Sequence, residues 1–504
     1  MYFRKRLPRF KLRTVQKQGN SAMKIYQFEM WGKKFSVDVE SGNFFEVDKL
    51  SAEAITLLQR HSAKETAQIL NKRFKSESVK KTLRNMSRLN REGLLFSDGQ
   101  RAERNVTRRI TDLTLNIVNK CNLRCRYCWN KGGSYGNSSK DSSMGFSIAL
   151  KAVELLLKES KGVKDLVVDF YGGEPLLNFA LIKKLVIYCK GIQESRKVKF
   201  RFLLATNGTL LNKTRGEFLI GNGADVAVSL DGTQRIQDRQ RPFPDEKGSF
   251  DTVISNIHSI REDFRKRIVG RATFTPFSTE PVATFKFLKN LGFERIEVCE
   301  SEQAGYGLES DNQFFFAGSK GIRSLKRIYR NLAVFYTREI IKGNLTYENT
   351  YFNRFFKQLS RLYHLQSVIG TCSAGFSLMA VDMDGSIYPC TAFVGIPRFK
   401  IGDVSCGINE ERLKAFSEIK ISSSTYCSRC WAKRICRGCG SCYNLNYFTN
   451  EDLSKPNPYY CELFRYKTKL MIAMIAAIGE KSSRLLEKVL IPEYYSGRGR
   501  RVGK

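Results

Sequence analysis

The run Cys121-Asn122-Leu123-Arg124-Cys125-Arg126-Tyr127-Cys128 constrains this chain more than any other stretch, because it gathers three thiols within eight residues. Thiolates favour soft metals and iron–sulfur clusters. Three of them at a three-then-two spacing can hold three irons of a cubane [4Fe–4S] cluster, which normally takes four cysteines. No fourth cysteine stands near, since Cys189, the next, is sixty-one residues further on. One iron would then stay open to a small molecule. Half of a zinc site is the competing chemistry, but closed structural zinc sites take four ligands.

The following segments fall where a β/α barrel needs them. Ile110–Val118 reads as an alternating strand that delivers the cysteines at its C-terminal end, where such barrels place their chemistry. Leu166–Tyr171 is a second apolar run and ends in Gly172-Gly173-Glu174-Pro175. Two glycines allow a backbone to approach a ligand closely, and the carboxylate can accept from an ammonium group. Phe200–Ala205 leads into Thr206-Asn207-Gly208, and Asp225–Leu230, which carries Ser229, into Asp231-Gly232. Each turn alone is ordinary; four at consecutive predicted strand ends define one face.

On these residues the chain resembles the radical S-adenosylmethionine (SAM) superfamily. The resemblance implies a partial (β/α)6 barrel over residues 107–300, in an α/β fold. It makes Cys121, Cys125 and Cys128 the catalytic cluster ligands. Their open iron would chelate the methionine end of SAM, and one-electron reduction would cleave it to a 5′-deoxyadenosyl radical. Tyr127, Gly172, Gly173, Glu174, Pro175, Thr206, Asn207, Ser229 and Asp231 are then the expected SAM-binding residues. The Gly-Gly-Glu-Pro turn would hold the amino group, and the later strand ends the ribose and carboxylate. An electron donor such as ferredoxin or flavodoxin is implied as well.

A second group of cysteines lies between Cys372 and Cys461. Cys372 and Cys390 bracket a predicted hairpin, Met379–Pro389, turning at Asp384-Gly385. Cys427, Cys430, Cys436, Cys439, Cys442 and Cys461 follow. A zinc ribbon is one reading of such pairs. The pattern also resembles the SPASM extension of radical SAM peptide-modifying enzymes, over residues 370–465. It departs after Cys436, where the pattern puts a cysteine at Gly440 and this chain has Cys439 and Cys442. By the resemblance, Cys427, Cys430, Cys436 and Cys461 would hold one auxiliary [4Fe–4S] cluster. Cys372, Cys390 and either Cys439 or Cys442 would hold another, whose fourth ligand stays open. Cys406 looks like a strand-end residue, and Cys189 and Cys299 like plain core cysteines.

Residues 24–98 predict three short strands, Lys24–Trp31, Lys34–Val39 and Phe44–Val47, then helices over Ala52–Gln59 after Ser51, Ala63–Arg73 and Ser78–Arg91. Ser62 and Glu65 have capping-box spacing. The order suggests a small winged-helix module. It resembles the recognition element that binds the leader of a ribosomal precursor peptide, in which an edge strand pairs with the leader; DNA binding is the alternative on fold alone.

Net charge is +36. Residues 1–24 carry eight Lys or Arg and no acid, so residues 1–23 are expected to form a disordered basic arm, with a basic tail within 466–504. The start is basic rather than apolar, unlike a secretory signal. The longest apolar run near the end, Leu470–Ile478, is far short of the ~20 residues that span a bilayer. Clustered cysteines at ligand spacings point to a reducing cytoplasm. Ser97–Arg109 reads as a linker, Asn130–Ser143 as a loop over the SAM site, Glu302–Gly321 as an insertion, and 301–369 as a helical bridge.

Together these features lead to the expectation of a radical SAM peptide maturase acting on a precursor with a leader. It is most similar to the subgroup that makes cysteine thioethers in six-cysteine peptides and in quinohemoprotein amine dehydrogenase. Carbon–carbon crosslinking remains an alternative. Sulfatase maturation is another, although an acidic base commonly follows the second SPASM cysteine there and this chain has Thr391. RNA modification is the more remote alternative, because RNA methylthiolases carry their extra cluster before the barrel; nucleic acid is not the expected partner.

Overall fold

Two sheets organise the computed structural model, which describes residues 24–98, 108–135, 142–301, 313–345, 354–364, 372–417, 425–436 and 443–490. The smaller is antiparallel, in the order β1 (Ile25–Met30), β2 (Lys33–Asp38), β3 (Phe44–Val47). Helices α1 (Lys49–Leu58), α2 (Ala63–Asn71) and α3 (Ser76–Arg91) follow. α1 starts earlier than the sequence suggests, because Asp48 is its cap and accepts from the backbone of Ser51 at 2.7 Å. The expected Ser62–Glu65 capping box is formed at α2. Because strand side chains alternate, the sheet has two buried faces. Ile25 and Val47 meet Ile55, Leu70, Val79 and Leu89 of the helices, whereas Phe35 and Val37 join the main core of the molecule.

The larger sheet is built on six parallel strands in sequence order: β4 (Asp112–Val118), β5 (Asp165–Gly172), β6 (Lys199–Thr206), β7 (Asp225–Ser229), β8 (Val269–Phe274) and β9 (Arg295–Glu300). Connections run through α4 (Phe146–Glu159), α5 (Phe179–Gly191), α6 (Lys213–Gly221), α7 (Phe250–His258) and α8 (Pro281–Asn290), and α9 (Gly318–Ile341) follows β9. Leu166, Val168, Phe170, Phe202 and Val226 are buried with the helices. Asp169, Tyr171, Arg201, Ser229 and Arg271 lie half-buried on the opposite face. β4 departs from the expected alternation, being buried on both faces from Leu113 onward, as strands in the middle of parallel sheets are.

The predicted hairpin is present as β10 (Leu378–Val381) and β11 (Ser386–Tyr388), with Gly385 supplying φ +89° at the turn. It is not set apart from the parallel strands. β10 pairs in parallel with β4, Leu378 opposite Asp112 and Val381 opposite Leu115. With β12 (Gly402–Asp403) and β13 (Gly407–Ile408) the sheet reaches ten strands. The second cysteine region is thereby fixed beside the strand that carries the first.

The apolar run Leu470–Ile478 is buried within α11 (Pro458–Lys481), which packs on α9 and on α10 (Arg354–Tyr363). No helix among the described residues is long and apolar enough to cross a membrane. Cys189 and Cys299 are buried and Cys406 is exposed. The arm 1–23, the end of the basic tail, Cys439 and Cys442 lie outside the described residues, as do parts of the predicted loop 130–143 and of the segment 302–321.

Candidate active site

The cysteine loop leaves β4 and is pinned by backbone hydrogen bonds: Arg124 N donates to Pro242 O at 2.8 Å and Arg126 N to Gln240 O at 3.0 Å. Burial pushes the thiol of Cys121 up to about 11 and that of Cys125 up to about 12; Cys128 adds to both shifts and Cys121 to that of Cys125. The Cys128 thiol donates to Asn130 Oδ1 at 2.9 Å and accepts from Gly132 N at 3.1 Å. Among the described residues no three His, Cys, Asp or Glu side chains close around the position of a single ion.

The strand ends behind the loop are cross-braced. A Cβ on Gly172 would lie 2.2 Å from Val118 O, and one on Gly173 2.0 Å from Lys120 O. The close approach that demands glycine is therefore between β5 and the segment leaving β4, not only to a ligand. Glu174 is buried. Its carboxylate accepts from Thr206 Oγ1 at 2.7 Å, from Leu176 N at 3.0 Å and from Asn207 N at 2.7 Å. Desolvation raises its pKa while these donors oppose the shift. The side chain ties β5 to β6 at the turn that the resemblance reads as the holder of the SAM amino group. Pro175 opens the following single turn. Asn207 Nδ2 donates to Asn122 Oδ1 at 2.8 Å and approaches Cys121 Sγ at 3.7 Å.

Asp231 is also buried and also engaged. It accepts from Tyr127 Oη at 2.6 Å, Gln240 Nε2 at 2.9 Å and Thr273 N at 2.9 Å. Arg241 donates to Tyr127 Oη at 2.6 Å. Burial opposes a charge on Arg241, yet Cys125, Tyr127 and Asp231 hold it protonated. Its Nε is buried without a hydrogen-bond partner among the described residues. Ser229 ends β7, half-buried beside Arg271 in the register. Sequence reasoning missed Gln240 and Arg241. They stand in the polar run Gln234–Arg241, where nothing in the residue pattern marks Gln237, Gln240 and Arg241 as the buried members.

The second cysteine group meets the first through aromatic residues. Tyr135, from the loop after Cys128, packs in one apolar cluster with Cys390, Phe393 and Tyr443, against which Trp129, Cys372 and Cys427 lie. Tyr135 Oη is 3.0 Å from Thr391 Oγ1 and donates to Asn116 Oδ1 at 3.1 Å. Burial pushes the Cys461 thiol up to about 11, with Arg465 opposing the shift and Cys427 and Cys430 adding to it.

These residues fit an iron–sulfur cluster with a bound ligand. A metal binds these thiols as thiolates and releases their protons, and Arg241, whose buried Nε has no hydrogen-bond partner among the described residues, offers a positive group beside Cys125. Residues 115–288 match the Radical SAM superfamily. They are a radical SAM domain.

The chain is 36% identical over 149 residues to the uncharacterized protein MJ0907 of Methanocaldococcus jannaschii, covering 30% of this chain and 48% of that protein. It thus spans about half the length of that relative. It is 23% identical over 358 residues to a cysteine-type anaerobic sulfatase-maturating enzyme of Clostridium novyi, covering 68% of this chain and 90% of that one. The structure of native anSMEcpe with bound AdoMet shares its fold, at 20% identity and a TM-score of 0.61, over 73% of this chain and 99% of that one.

Proposed function

We propose that this radical SAM enzyme modifies a ribosomally made precursor peptide or protein, closing cysteine thioether crosslinks. Cys121, Cys125 and Cys128 would hold the SAM cluster. When bound and reduced, that cluster with SAM supplies a 5′-deoxyadenosyl radical able to take a hydrogen atom from an unactivated C–H bond. Glu174 and Asn207 hold the strand ends behind the cysteines in register, and Asp231 with Gln240 orients Tyr127 and Arg241 beside Cys125. Cys427, Cys430, Cys436 and Cys461 would hold one auxiliary cluster of a SPASM-type domain. Cys372 and Cys390, with Cys439 or Cys442, would hold the other. The three-stranded unit with α1–α3 is read as a winged-helix-like leader-binding module, in which β3, paired on one side only among the described residues, offers an edge for β-augmentation.

Thr391 carries the choice of product. It follows Cys390, and its hydroxyl faces Tyr135 and Asn116; the residue itself offers no carboxylate to deprotonate a substrate radical on the way to an aldehyde. A thioether needs no such base, because coordination to a metal itself favours loss of the thiol proton. The similarity to sulfatase-maturating enzymes favours formylglycine formation as the second reading.

Coexpression with a short reading frame adjacent to the gene, followed by tandem mass spectrometry, tests both. The expected product is lighter by about 2 Da per closure, with one SAM consumed, and its cysteines resist alkylation in step. The same mass loss with full alkylation contradicts the thioether and fits a carbon–carbon bond. A formylglycine residue establishes the second reading.

A further inference from the structure

The segment Cys427–Cys436 is clasped by the N-terminal sheet. Trp431, directly after Cys430, stacks on Tyr26 of β1 with ring centroids 4.6 Å apart and planes 6° from parallel. The ammonium of Lys469, eight residues beyond Cys461 on α11, lies 5.0 Å from the Tyr26 ring centroid and 6.0 Å from that of Trp431. Glu40, in the turn between β2 and β3, accepts from Lys433 at 2.5 Å and pairs with Arg434 at 3.5 Å. In the same turn, a Cβ on Gly42 would stand 3.4 Å from Arg434 Cβ, which is ordinary contact. The turn itself is pinned, since Asp38 accepts from the backbone of Glu40 and Ser41 and from Ser97 at the end of the module.

We propose that Tyr26 and Glu40 are positioning residues of the second cysteine site: the N-terminal module is a buttress that fixes where Cys430 and Cys436 stand, in addition to any peptide it binds. Trp431, Lys433 and Arg434 occupy the stretch between those two cysteines, so their contacts set its path. The buttress also joins the two ends of the chain's ligand set, because α11 carries both Cys461 and Lys469. A peptide paired to β3 would press on the same turn. The proposal rests on reading Cys427, Cys430, Cys436 and Cys461 as ligands only in what the buttress is for.

Alkylation of the iron-free full chain, followed cysteine by cysteine in mass spectra, tests it. Tyr26→Ala and Glu40→Gln should each raise the alkylation rate of Cys430 and Cys436 about fivefold, the scale of losing one aromatic or ion-pair contact. Tyr26→Phe, which keeps the stack, should stay at the parent rate. Exposed Cys406 and buried Cys189 should not change. If Cys189 opens in Tyr26→Ala, the comparison of Glu40→Gln and Tyr26→Phe with the parent decides. Parent-like rates at Cys430 and Cys436 in Tyr26→Ala and Glu40→Gln overturn the buttress. A second arm separates the two readings: the same variants in a Cys121→Ala/Cys125→Ala/Cys128→Ala background, reconstituted with iron and sulfide. Iron retained, with an electron paramagnetic resonance spectrum altered by Tyr26→Ala, supports both. No iron in the parent background, with the alkylation response intact, removes the cluster reading and leaves the buttress standing.

Discussion

Asp169 shows what single residues of this barrel do that their motif does not announce. It lies two positions before Tyr171 on the half-buried face of β5, and burial, partly offset by Arg271, pushes its carboxyl up to about 7 from 3.8. A carboxyl whose pKa is raised by folding costs nothing while protonated in both states. Its penalty develops as pH climbs from about 4 and is complete above about 7. Asp169→Asn should therefore lie nearest the parent in urea unfolding at the acid end, below pH 4, and gain stability progressively to pH 8. An equal effect at both pH values would mean that the carboxyl is not desolvated. Tyr127→Phe strips one donor from buried Asp231 and the acceptor from Arg241, and should cost about 1–3 kcal/mol in the same experiment. The cysteines, glycines and acids of the site were legible because chemistry restricts which residues can serve. Their partners were not: Glu174 and Asp231 each find a donor on another strand, Thr206 and Thr273, and Gln240 and Arg241 carry no pattern at all.

At the level of elements, period-two patterning located β5, β6 and β7 to within a residue or two, since one face of each must be apolar beneath the helices. Caps were less readable, because Asp48 and Ser51 are both good capping residues and only the backbone geometry chooses between them. Sheet membership was hidden. Nothing in Leu378–Val381 states that it will pair with Asp112–Leu115 rather than only with its own hairpin. The N-terminal unit looked separable for the same reason, whereas Phe35 and Val37 are buried in the main core. Deleting residues 24–98 should then lower the melting temperature of the remainder and expose apolar surface to dye binding. A remainder that melts like the full chain would show that the sheet is only laid against the body.

For the whole molecule, one continuous sheet joins the strand before the first cysteine loop to the hairpin before Cys390. β4 delivers the first group and its neighbour β10 leads to Cys390, so Tyr135 and Thr391 meet between them. The proposed role of Cys121, Cys125 and Cys128 in radical SAM chemistry is measured by 5′-deoxyadenosine released from SAM by the reconstituted, reduced enzyme, compared with its Cys121→Ala/Cys125→Ala/Cys128→Ala variant. The parent should cleave SAM and the variant should fall to the background of reductant alone, while each remains folded. Release of 5′-deoxyadenosine by the triple variant at the parent's rate would contradict the account.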